Sequence, residues 1–146
     1  MQKFQQTSLD NKNFVGDVLS LIALSNFYHH WKMHKIKKVF VPPLQIGQFR
    51  IWYHNSQPCG FCSWAWVSDE VLERLQDGGY LLEPQDWQSG KNLWIADWIS
   101  PFGRTREMVR SMRHYVTKTF GTNIKGQWFR PSKGKRGYAF SNKKIT

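Results

Sequence analysis

Asp97 lies in the run Leu93-Trp94-Ile95-Ala96-Asp97-Trp98-Ile99, an acidic side chain in an otherwise apolar stretch. An ionised carboxylate among such neighbours costs several kcal/mol unless it is paired or hydrogen-bonded. Two readings follow. One is a structural carboxylate that caps a nearby turn or pairs with an arginine. The other is a carboxylate that orients and charges a histidine, as in triad chemistry. His29, His30 and His34 cluster a few residues after Ser25. His30 and His34 are spaced i, i+4, which can hold a metal, but no acidic third ligand lies nearby and no metal is expected. The cluster reads either as helix-end histidines favoured by the C-terminal dipole or as the source of a general base beside Ser25. Cys59 and Cys62 form a C-x-x-C. Cys62 runs into Ser63-Trp64-Ala65-Trp66-Val67, a strand pattern in which residues three apart point to opposite faces. Chelation, bridging and thioredoxin-like chemistry are therefore disfavoured.

The elements that must position these residues can be read from the same sequence. Residues 1–9 read as flexible. An apolar stripe at Phe14, Val18, Leu21, Ile22 and Ser25, widened by Val15, Leu19 and Leu24, predicts a helix with Asp10 as its N-cap. Lys32–Lys38 continues as a second short helix, which Pro42-Pro43 is expected to stop. Residues 48–54 and 59–67 predict a β-hairpin around Asn55-Ser56-Gln57-Pro58. Ser68 caps a short helix that Gly78-Gly79 ends, and residues 86–92 read as loop. Residues 93–99 predict a central strand. Residues 104–120 predict an amphipathic helix with Met108, Val109, Met112, Tyr115, Val116 and Phe120 inward. Strands are expected at 124–130 and 136–141. The sum is one α+β domain over residues 1–146, a mainly antiparallel sheet flanked by helices.

The charge is unevenly placed. Of 21 Lys and Arg, twelve fall in residues 104–146 with one acid, Glu107, a net +11. Residues 1–103 carry nine of each sign and sum to zero. The last third thus supplies a positive field that draws polyanions or an acidic protein. No run approaches the roughly 18 apolar residues needed to span a bilayer. The first twelve residues lack an apolar signal-peptide core, so a cytoplasmic protein is expected, with no integral membrane association.

Several separated stretches share one further property. Ser25 through Trp31 is similar to a Ser-Pro-Leu-His-Arg-x-Trp segment. Pro42 with Gln48-Phe49, Pro58 with Cys62-Ser63-Trp64-Ala65, and Asp86-Trp87 with Ser89-Gly90 follow in order. Trp94 and Asp97-Trp98-Ile99 then lead to Pro101-Phe102-Gly103. In order and spacing the chain resembles the RTX toxin-activating lysine acyltransferases, the hemolysin-activating family, over most of its length; that family usually extends further beyond the last strands.

The resemblance implies a GNAT-like fold and a protein-lysine fatty acyltransferase. Its donor would be acyl-acyl carrier protein (acyl-ACP) through the 4′-phosphopantetheine thioester, with no permanently bound cofactor. Its acceptor would be an internal lysine of a pore-forming protoxin, and a homodimer is suggested. It further implies a catalytic histidine with an essential aspartate. Asp97 takes the aspartate's place and Ser25 that of a conserved serine. Counted without a gap, Tyr28 stands at the histidine's position and His29 one residue on. His29 is the first candidate for the base and His30 the second, a departure from histidine chemistry being the third alternative. A base is needed because a lysine of pKa about 10.4 is only about 0.04% free amine at pH 7. A histidine suits that task, with Asp97 on its other nitrogen and Ser25 or backbone N–H groups on the oxyanion. Arg104, Arg106, Arg110, Arg113, Arg130, Lys133, Lys135 and Arg136 would dock the acidic carrier protein and the phosphate of its arm. Two rivals use the same residues differently. A non-catalytic nucleic-acid binder explains the charge but gives Asp97 no role, so nucleic acid is not the expected partner. An acyl-CoA-dependent GNAT-type enzyme lacks its Gly-rich pyrophosphate loop here.

Overall fold

A computed structural model describes residues 14–130 and 135–141, with side chains as far as Trp128. Residues 14–24 belong to helix α1, whose inner face is Val18, Leu21 and Ile22. Val15, Leu19 and Leu24 do not widen that face as expected; they are 45%, 42% and 54% exposed. One helical face is enough to meet the core, and the outer positions remain on the surface. The expected Asp10 cap and the segment 1–9 lie outside the described residues.

Helix α2, Met33–Ile46, corrects a second expectation, since it runs straight through Pro42 and Pro43. A proline inside a helix costs about 3 kcal/mol through its missing N–H and its ring. Here the same turn buries Val39, Phe40, Pro43 and Leu44, and that burial offsets the cost. The helix ends instead at Gly47, in the left-handed conformation at φ 72°, with the Gln48 N–H on the Pro43 carbonyl.

Strands β1, Phe49–His54, and β2, Gln57–Val67, form the predicted hairpin. Its turn is the two residues Asn55 and Ser56, both at positive φ, rather than four. Helix α3, Asp69–Asp77, opens on Ser68, whose hydroxyl accepts the Val71 N–H, and closes at Gly78. A 3-10 turn at Pro84–Asp86 begins the expected loop. Strand β3, Asn92–Ile99, helix α4, Thr105–Phe120, and strands β4, Lys125–Arg130, and β5, Lys135–Ser141, complete the order. Of the inward positions expected on α4, Met108, Met112 and Val116 are buried and Val109 and Tyr115 half-buried. Phe120 is 39% exposed, its ring edge-on to Trp66.

The fold is α+β with a five-stranded sheet in the order β1-β2-β3-β4-β5. The β1/β2 and β4/β5 pairs are antiparallel, and β3/β4 is parallel. The chain divides into two compact units, and β2 and β3 each contribute to both. The first unit holds α1, α2, β1, β2 as far as Ser63, and Asp97–Gly103. Its core joins Val18, Leu21, Ile22, Tyr28, Ile36, Val39, Phe40, Leu44, Phe61 and Ile99.

The second unit packs Ala65, Val67, Val71, Leu75, Leu82, Trp87 and Trp94. Here the Asp86-Trp87…Ser89-Gly90 stretch has a mechanical task. Trp87 fills the core while the Asp86 carboxylate accepts from the Glu83 N–H and the Tyr80 hydroxyl. The N–H groups of Ser89 and Gly90 both reach the Trp66 carbonyl. A Cβ on Gly90 would fall 2.5 Å from the Ser68 backbone, so only glycine fits. The loop is thereby stapled to β2 just before β3 begins.

Candidate active site

Residues 95, 97 and 99 point to one face of β3 by strand alternation. Asp97 thus shares a face with Ile99, and it is 8% exposed. The side chain that meets it comes from the turn after α1. Ser25 ends that helix, and its hydroxyl accepts the N–H groups of Phe27 and Tyr28, at 3.3 and 3.2 Å. Its carbonyl accepts the His29 N–H. This folds residues 26–30 into a tight turn that drives the Tyr28 ring into the core. There it packs edge-on against Trp31 and Phe40, with centroids 4.8 and 5.3 Å away. The phenol oxygen arrives 2.8 Å from Asp97 Oδ1 and donates to it. The nearby Trp98 backbone N–H favours the ionised phenol, a smaller effect than those of burial and Asp97. The Tyr28 proton is committed to Asp97.

The hydrogen bond expected from an imidazole to Asp97 is therefore made by a phenol. His29 and His30 are exposed on the same turn, their rings edge to face 5.3 Å apart. An inward Tyr28 carries the next two residues outward, so a single turn cannot present Tyr28 and His29 to the same carboxylate. His34 is exposed at the start of α2. Ser25 is seen as the residue that holds the turn.

Other groups complete the surroundings of Asp97. Ser63, on β2, is wholly buried; its hydroxyl lies close enough to pull the carboxyl pKa down, yet it completes no hydrogen bond. Lys35, half-buried on α2 with its ammonium 3.9 Å from the centre of the Trp31 ring, also favours the charged form. Burial outweighs all of these and raises the Asp97 pKa to about 7. Burial and the Asp97 charge push the Tyr28 hydroxyl well above the ordinary tyrosine value. Burial, then Asp97, push the Cys62 thiol up as well, so Cys62 is not a thiolate nucleophile at neutral pH. Cys59 is half-buried and likewise unbridged.

Arg104, Arg106, Arg110 and Arg113 are exposed on and just before α4. Arg104 takes the left-handed conformation at φ 62°. Arg130, Lys135 and Arg136 lie in β4 and β5, but their side chains, and all of Lys133, fall outside the described residues.

Residues 7–137 match the model of the RTX toxin acyltransferase family. The chain belongs to that family. Among its relatives, the lysine-acyltransferase RtxC of Vibrio cholerae is 29% identical over 72% of this chain and 69% of its own length. The RTX-II toxin-activating lysine-acyltransferase ApxIIC of Actinobacillus pleuropneumoniae is 29% identical over 77% and 71%. The leukotoxin-activating lysine-acyltransferase LtxC of Aggregatibacter actinomycetemcomitans is 34% identical over 70% and 62%. The aligned part is thus between three-fifths and three-quarters of each relative. Two of the segments that carry the resemblance, 25–31 and 94–99, meet at Tyr28 and Asp97. Sequence reasoning placed Tyr28 at the histidine's position but gave it no role, and it passed over Ser63 and Lys35. The gapless alignment was the available signal for Tyr28. Ser63 and Lys35 emerge only from the packing of β2 and α2 around β3.

Proposed function

We propose that this protein is a cytoplasmic, GNAT-like protein-lysine acyltransferase that moves a fatty acyl group from acyl-ACP to an internal lysine of an RTX-type protoxin, and so activates it. The observation that carries the reading is the buried Asp97 carboxylate, held at 2.8 Å by a side chain from the 26–30 turn. A carboxylate kept dry at the end of a core strand is expensive, and a fold retains such a group readily where chemistry uses it. The acceptor ammonium must lose a proton before its nitrogen can attack the thioester carbon. The donor arm brings the thioester, and no permanently bound cofactor is required. Ser25 holds the turn by accepting the Phe27, Tyr28 and His29 N–H groups, and its own hydroxyl proton is the donor offered to the developing oxyanion.

The exposed arginines of α4 support acyl carrier protein as the donor's carrier. An acidic carrier is attracted to this surface, and its encounter rate falls with added salt. A homodimer is part of the same reading. The test is co-expression with an RTX-type protoxin, followed by peptide mapping. A fatty acyl mass on an internal lysine is expected, and a protoxin of unmodified mass would refute the proposal.

A further inference from the structure

Asp97 Oδ1 is taken by Tyr28. The phenol keeps its proton at neutral pH, held there by burial and the Asp97 charge, and a neutral phenol is too weak a base to take a proton from an ammonium. His29 and His30 face solvent and make no hydrogen bond to Asp97. Among the described residues no completed hydrogen bond reaches the second carboxylate oxygen, Oδ2, although the buried Ser63 hydroxyl acts on the same carboxyl. One ammonium already acts on this carboxylate from α2. Lys35 sits over the Trp31 ring within electrostatic reach of the carboxylate, in the aromatic wall formed with Phe27 and Tyr28.

We propose that Asp97 is itself the general base of the acyl transfer, receiving the acceptor's proton on Oδ2, and that Tyr28 is its positioning residue at the place where a histidine stands in the family pattern. The inference rests on the acyltransferase reading above. The ionised Asp97 takes one proton from the acceptor ammonium. The freed amine attacks the thioester carbon, forming the C–N bond, and the C–S bond breaks. The second nitrogen proton passes to water as the amide forms, and the protonated Asp97 returns its proton to the departing pantetheine thiolate. An ammonium and a thioester become an amide, a thiol and one released proton. Near pH 7 such a base is part ionised, the range in which proton transfer to and from it is most effective.

The groups that act on Asp97 are Tyr28 from the turn, Ser63 and Cys62 from β2, Lys35 from α2 and, through Cys62, Arg50 from β1. Loss of the Tyr28 hydroxyl removes a hydrogen bond that favours the carboxylate, so Tyr28→Phe should move the Asp97 titration to higher pH.

Two measurements decide the matter. Infrared difference spectra between wild type and Asp97→Asn report the carboxylic-acid carbonyl band of Asp97 whether or not an acceptor is known. That band should titrate near neutrality and shift upward in Tyr28→Phe. A carboxylate ionised down to pH 5 overturns the inference. The second measurement is single-turnover transfer from myristoyl-ACP to an RTX protoxin polypeptide. The rate should rise with pH through the same midpoint, and Asp97→Asn should slow it at least about 100-fold. The double variant His29→Ala/His30→Ala should slow it less than about tenfold. A loss of about 100-fold or more in the histidine variant would make an imidazole the base and sink the proposal. Absence of any transfer by the wild type would instead refute the acyltransferase reading, while the infrared titration would still decide the state of Asp97.

Discussion

Asp97, the proposed general base, carries a measurable cost. Its pKa is about 7 in the fold against an ordinary 3.8. Between those values the folded protein keeps a proton that the unfolded chain has lost. Stability should therefore fall as pH rises from about 4 to 7 and be level above. The whole effect is at most about 4 kcal/mol, at about 1.4 kcal/mol per pKa unit. Asp97→Asn removes the slope. In urea titrations it should unfold at higher urea than wild type at pH 8, with the two midpoints converging near pH 4.5. Tyr28→Phe acts in the opposite sense. It deletes a bond to a group that is charged at high pH, so it should destabilise by about 1.5–3 kcal/mol above pH 8 and by less at pH 5. A pH-independent loss would mean that ring packing, rather than the hydroxyl, is what Tyr28 contributes. The oddity of an acid among Trp94, Ile95, Trp98 and Ile99 could be read from the sequence because burial is a local pattern there. Its partner could not, because the separation of 69 positions between Tyr28 and Asp97 is bridged only by the geometry of the Ser25 turn.

Elements with local signals came out close to their predicted bounds. Ser68 and Gly78 bracket α3, the apolar run 93–99 became β3, and the 3.6-residue period gave α4. The expectations that failed depended on tertiary burial. Local chemistry says that Pro42-Pro43 stops a helix, but the buried face of α2 carries it to Gly47. Pro42→Ala restores a helix donor and should raise the thermal midpoint, whereas a true terminator would show no gain. In the same way the turn at Asn55-Ser56 is shorter than its four polar residues suggested, because β2 already pairs from Gln57. The Ser89-Gly90 staple leaves no room for a side chain. Gly90→Ala should cost about 1–3 kcal/mol by forcing the loop off the Ser68 backbone, seen as a lowered urea midpoint with α3 and β3 both affected.

For the molecule as a whole, a neutral first two-thirds carries the acid and its turn, and a last third of net +11 carries the field. The division was legible from charge counting alone, although the identity of the polyanion was not, since nucleic acid and an acidic carrier protein read alike at that level. Charge reversal at Arg106 and Arg110, both exposed on α4, should raise KM for acyl-ACP several-fold and flatten its dependence on salt, with little change in kcat. A KM unmoved by both substitutions would take the donor off this surface. The reading as a whole turns on whether the Asp97 carboxylate makes an amide on another protein. The direct measurement is the intact mass of an RTX-type protoxin incubated with purified protein and myristoyl-ACP, wild type beside folded Asp97→Asn. One added myristoyl group per modified lysine, formed by the wild type and lost in Asp97→Asn, is the predicted result. Equal acylation by both, or none by either, would contradict it.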